Sequence, residues 1–157
     1  MKRINLTGRA LSDVALTVFD QSPEAAQELA GKNAPYGLIL TTETAYSDLD
    51  PELIEKADLI AIDFPAFGDG RGFSLAVRLR KDFNFTGELR ATGPVIPDQA
   101  QFLLRAGFDS VDTDDARAAA FQKAAGRFTA FYQTDYTGNT SVAHTRHGPS
   151  QRERKAS

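Results

Sequence analysis

Apolar runs of strand length alternate with helix-like segments along most of the chain. "VALTVF" at 14–19, "YGLILT" at 36–41 and "LIAIDF" at 59–64 read as strands. The third is almost continuously apolar, as expected of a strand buried on both faces. "GELRAT" at 87–92 is a fourth, more polar strand, and "DSVD" at 109–112 a short fifth. Helices fill the intervals. "SPEAAQELA" offers Ser22 as N-cap with Pro23 at the first helical position, and "DPELIEKA" repeats that signal at Asp50 and Pro51. In "GFSLAVRLRKDF", Phe73, Ala76, Val77 and Phe83 recur at helical spacing. "PDQAQFLLRAGF" predicts a short helix ended by a left-handed Gly107, with Phe108 packing back onto it. "DDARAAAFQKAAGRFTAFY" predicts the longest helix, weakened in its middle by Gly126.

Five strand–helix units in succession predict an α/β fold with a mostly parallel sheet and right-handed crossovers. An open three-layer sandwich and a partial β/α barrel both fit. The chain has 157 residues, against roughly 250 for a full barrel, which favours the sandwich. Residues 1–136 are expected to form a single domain. Beyond Tyr136 the chain has little to bury, and Arg146, Arg152, Arg154 and Lys155 against Glu153 give residues 137–157 a charge of +3. That leaves −6 on the body of a chain whose net charge is −3. A disordered basic tail is the expectation.

Composition narrows the chemistry. With 41% hydrophobic and 25% charged residues the chain reads as soluble and globular. Its net negative charge gives no reason to expect nucleic acid as a partner. No run approaches the ~18 apolar residues of a membrane span. Two early basic residues stand without an apolar h-region, so no secretory signal is read and a cytoplasmic location is expected. There is no cysteine, which removes thiolate-held iron–sulfur clusters, disulfides and thiol nucleophiles. His144 and His147 lie in the last fourteen residues. A Cys/His zinc site and a Ser-His-Asp triad are therefore excluded from the folded body, and no metal site is predicted. Carboxylates, arginines, hydroxyls or a borrowed cofactor must carry any chemistry.

Ligands of parallel α/β sheets bind where strands end and helices begin. The best candidate is "DFPAFGDGRGFS", after the third strand. Gly68, Gly70 and Gly72 permit close backbone approach, and free amides at the next helix, together with Arg71, would make an anion pocket. Ser74 and Arg78 share a helix face with Arg71 if the helix already includes it. Sulfite, sulfate or a nucleotide phosphate would suit that face. The competing reading is that the glycines turn the chain, Asp69 caps the turn and Arg71 pairs with a carboxylate such as Asp63. "GDGRG" is neither the dinucleotide fingerprint nor a P-loop, so no cofactor is predicted, with a flavin or nicotinamide held in another way left open. Arg90 places a charge inside a central-looking strand and needs a partner. It either joins Arg71 around one anion or pairs with Asp63, Asp98 or Asp109. Asp98 and Gln99 open the following helix, where a capping role is favoured. Tyr132 and Gln133 read as packing and surface residues.

The runs "DFPAFGDGRGFSLAVRLR", "GELRATG", "DQ" and "RAGFDS", with "FYQ" closing the last helix, resemble a bacterial family of unknown function whose members are commonly labelled as oxidoreductases of sulfite reduction. The resemblance covers residues 59–133. Phe67, Asp69, Gly70, Arg71, Gly72, Ser74, Arg80, Glu88, Arg90, Asp98, Gln99, Gly107, Phe108 and Asp109 sit on the family pattern. Where members usually read "GDVLRDQ", this chain has "GPVIPDQ", so Pro94 replaces an acid and Pro97 a base. The resemblance implies a role in assimilatory sulfate reduction, near sulfite reductase and the adenylyl-sulfate reductase. Three functions fit it: an accessory protein that binds the reductase or helps deliver electrons or substrate; an oxidoreductase clamping an oxyanion with Arg71 and Arg90, with Asp69 or Asp98 as acid/base; and a non-catalytic regulatory module for an anion or nucleotide. The oligomeric state is left open.

Overall fold

The computed structural model describes residues 1–19, 23–31, 34–127, 133–138 and 141, with backbone alone at 23, 25, 26 and 30. The expected Ser22 cap, Tyr132, both histidines and most of the basic tail lie outside these residues. Ser141 is described and is buried.

Six strands form one sheet: β1 (Lys2–Asn5), β2 (Leu16–Val18), β3 (Gly37–Thr41), β4 (Leu59–Asp63), β5 (Glu88–Thr92) and β6 (Ser110–Thr113). Their order is β1-β6-β5-β4-β3-β2, with β2 to β6 parallel and β1 antiparallel to β6. Five helices follow the five parallel strands: α1 (Pro23–Gly31), α2 (Pro51–Lys56), α3 (Arg71–Lys81), α4 (Ala100–Ala106) and α5 (Asp115–Ala125). The sheet is open, as the chain length predicts. β1 was not legible as a strand, although its alternation places a lone apolar residue, Ile4, on the core side. Helix α5 ends at Ala125, and residues 128–132 of the expected longer helix lie outside the described residues. Gly126 is its C-cap rather than its middle, so α5 matches α3 in length instead of exceeding it. A glycine gives up the most chain entropy on joining a helix, which favours stopping there.

A parallel order that runs in one direction, with right-handed crossovers, puts every helix on the same face. The side chains agree. Leu38, Leu40, Ile60, Ile62, Leu89, Ala91 and Val111 alternate onto one face and share a core with Leu53 and Ile54 of α2, Leu75, Ala76 and Leu79 of α3, Leu103 of α4 and Phe121 of α5. Each fully buried Leu, Ile or Phe there contributes about 1.5–3 kcal/mol. On the other face stand Leu59, Ala61, Glu88, Arg90 and Ser110. That face is strapped by chain rather than covered by helices, so the described residues form two layers and not the three of the expected sandwich. Ser12 N–H donates to Glu88, and the Ser12 carbonyl accepts from Arg90 Nη2 at 3.0 Å.

Local signals set the boundaries of α2 and α4. Asp50 accepts from the Glu52 amide at 2.9 Å ahead of Pro51. Gly107 takes φ +102° and closes α4. Replacing Asp50 with Ala is expected to lower the unfolding free energy by about 1 kcal/mol in urea titrations. No helix among the described residues is long and apolar enough to cross a membrane.

Candidate functional site

The β4–α3 loop, residues 64–70, leaves the carboxyl end of the central strand, where the sequence places it. Helix α3 begins at Arg71, so Arg71, Ser74 and Arg78 do lie along one exposed face. The charge on that face is already committed. Asp69 accepts from Arg71 Nε at 3.0 Å and from Nη2 at 2.8 Å, a two-pronged ion pair, and from the Arg71 amide at 3.0 Å. Thr42, buried after β3, donates its hydroxyl to the same carboxylate at 2.7 Å. Glu43 stands 3.6 Å from Arg71 Nη2. The Arg71 guanidinium and then the Thr42 hydroxyl hold the Asp69 carboxyl well below the usual carboxylate range, and Asp69 in turn raises Arg71.

A carboxyl group with a depressed folded pKa contributes stability above its unfolded value of about 4 and loses that contribution as pH falls. Arg71→Ala is therefore expected to lower the thermal midpoint at neutral pH and to flatten its fall below about pH 4. Melts of both proteins across the acid range check this. A parallel fall in the two would show that the pair does not hold the loop.

Several sequence expectations meet different partners. Arg71 pairs with Asp69 and Glu43, not with Asp63, which accepts from the Thr92 hydroxyl at 2.9 Å. Arg78 lies over the Tyr46 ring, 4.6 Å from its centre. Asp98 is exposed in a 3₁₀ turn, Pro97–Gln99, that leads into α4. Gln99 does more than cap: its amide donates to the Phe67 carbonyl at 2.7 Å and its oxygen accepts from Ile96 N–H at 3.0 Å. It thereby ties the β5–α4 connection to the candidate loop, whose Phe67 ring is 61% exposed.

Arg90 does not join Arg71. It is buried on the face of the sheet opposite α3, where its Nε donates to Glu88 at 3.0 Å. Ser110 supports the same carboxylate. The partner is none of Asp63, Asp98 and Asp109. Glu88 was visible in the sequence, since residues two apart on a strand share a face.

Most family-pattern residues outside the loop build the frame. Arg80 donates to the carbonyls of Phe85, Gly87 and Gly107 and to Asp109 at 2.6 Å, with both side chains almost fully buried. Asp109 also accepts from the Leu89 amide at 3.0 Å. Gly72 leaves room for the Phe64 ring, which an added Cβ would meet at 2.5 Å.

These features define an α/β domain that presents a glycine loop, its arginine already paired with Asp69, at the carboxyl edge of its sheet. Residues 37–143, well over half of the chain, match the family described as "Bacterial protein of unknown function (DUF934)", and the chain belongs to that family. The match extends beyond residues 59–133 at both ends. No curated protein matches the chain.

Proposed function

We propose that the protein is a cytoplasmic accessory protein of assimilatory sulfate and sulfite reduction that binds an enzyme of that route, sulfite reductase first among the candidates. The pathway rests on the family resemblance of residues 59–133. The choice of partner binding over oxyanion turnover rests on one observation, the two-pronged Asp69–Arg71 pair. A clamp for sulfite or sulfate uses the same guanidinium edge that Asp69 already fills. What the loop offers outward instead is the Phe67 ring, an aromatic of the kind that anchors protein contacts. Arg90, the second arm of an oxyanion clamp, is spent on Glu88 across the sheet.

A regulatory anion- or nucleotide-binding module is the second reading. It is favoured by the start of α3, where Gly70 makes no side-chain cap and no acidic residue occupies the first turn. An anion there would have to draw Arg71 away from Asp69.

Growth of a deletion strain on sulfate, sulfite or cysteine tests the main reading. Failure on the first two with rescue by cysteine is expected, restored by the wild type and not by Phe67→Ala. Normal growth on all three sources overturns the pathway. Calorimetric binding of sulfate or sulfite that Arg71→Ala abolishes would replace the accessory reading with the second.

A further inference from the structure

A second cleft lies between α3 and α4, and Gln99, bonded to the Phe67 carbonyl, is among its lining residues. Residues of α3 and α4 and the described stretch at 133–136 border it. That stretch is pinned in place. The Tyr136 amide donates to the Arg105 carbonyl at 2.8 Å, Arg105 Nη2 donates to Gln133 at 3.1 Å, and the Tyr136 ring lies against Gly107, where an added Cβ would meet it at 3.2 Å. The cleft is open to solvent and holds about 600 Å³, within the range of small-molecule sites.

The walls are mainly apolar and aromatic: Phe73, Val77, Phe102, Ala106 and Tyr136. Phe73 is fixed from behind by the core, 5.3 Å from the Phe64 ring and 6.4 Å edge-on to Phe108. Phe102 stands at the opening, 59% exposed. Among the described residues, the charged groups facing the space are Lys81, Arg105 and one carboxylate, Asp135. A cationic rim on a chain of net charge −3 selects for negative charge in whatever enters.

We infer that this cleft is a binding site for a small amphipathic anion, with a flat aromatic body between Phe73, Phe102 and Tyr136 and an acidic group toward Lys81. A cleft of this size, bounded by α3, α4 and the stretch at 133–136 and open to solvent, suits a compact molecule. The site uses neither Arg71 nor the Phe67 ring, so its test is separate from that of the sulfur-assimilation reading.

The probe is 8-anilinonaphthalene-1-sulfonate, an aromatic sulfonate whose fluorescence rises on burial, with the uncharged N-phenyl-1-naphthylamine as its control. The folded protein is expected to bind the sulfonate saturably, one molecule per chain. Phe102→Ala should weaken binding about tenfold, the scale of one aromatic contact, with the thermal midpoint unchanged because the ring is exposed. Lys81→Gln should weaken the sulfonate several-fold, as loss of one charge-assisted contact does, and leave the uncharged probe as it was. Non-saturating fluorescence, or binding indifferent to both substitutions, overturns the proposal. So does a dimer in sedimentation that Phe102→Ala dissolves, which would assign the cleft to a second copy of the chain.

Discussion

Arg80→Met is expected to lower the unfolding free energy by about 3–5 kcal/mol, the usual effect of removing one partner of a buried ion pair. The arginine side chain is 4% exposed and Asp109 5%, so water cannot take over what is lost. The Asp109 carboxylate would keep the Leu89 amide, the Thr7 hydroxyl and a distant Arg9, 3.5 Å away and half exposed. The carbonyls of Phe85, Gly87 and Gly107 would lose the guanidinium that serves all three. These carbonyls belong to the α3–β5 and α4–β6 connections, so the substitution unties two crossovers at once. Urea titration followed by circular dichroism reads the effect. Replacing both members, Arg80→Met with Asp109→Leu, should cost less than Arg80→Met alone, because no unpaired charge then stays buried. A single-variant loss under about 1 kcal/mol would show that the pair contributes little beyond its packing.

Gly93→Ala is the second large effect. Gly93 follows β5 with φ +91°, and an added Cβ would lie 2.1 Å from the Phe64 carbonyl oxygen. Both neighbouring groups are backbone, so no side chain can swing away. The left-handed conformation costs a non-glycine residue about 1–2 kcal/mol, and forced overpacking about 1–3 more. A loss of about 2–5 kcal/mol is expected, read in the same titration. The carboxyl ends of β4 and β5 are joined there by Phe64 N–H to the Thr92 carbonyl at 3.0 Å, and the strain falls on that link. The β4–α3 loop should therefore shift, and limited proteolysis at residues 64–70 should quicken. Unchanged stability would mean that the two strand ends are free to part.

Where the sequence was readable, local chemistry carried the signal. Asp50 with Pro51, and Gly107 with Phe108, each specify a helix boundary within a few residues, and the structure has both. The near-continuous apolar run of β4 announced a strand buried on both faces, and residues 59–62 have no exposure at all. What was not readable depends on residues distant in the chain. Thr42 and Glu43 reach Asp69 and Arg71 only because β3 lies beside β4. The Arg80–Asp109 pair spans two crossovers. The cleft beside Phe102 needs the stretch at 133–136 to fold back on α4. Arg90 is the instructive case: its partner Glu88 stood two residues away, yet acids farther along the chain looked equally available. Strand alternation, which puts residues 88 and 90 on one face, decides between them.

The placement of β1 has a consequence for how the chain comes into being. Its residues are made well before β6, yet Lys2 pairs with Thr113 and Asn5 with Ser110, at the far edge from β2. During synthesis these residues leave the ribosome before their partner strand exists. Ser12 likewise waits for Glu88 and Arg90. The β2–β5 region can assemble strand by strand as it emerges, but its polar face stays unsealed until β6 arrives. Strand β1 is thus fitted only after β6 is made, and its pairing completes that edge of the sheet.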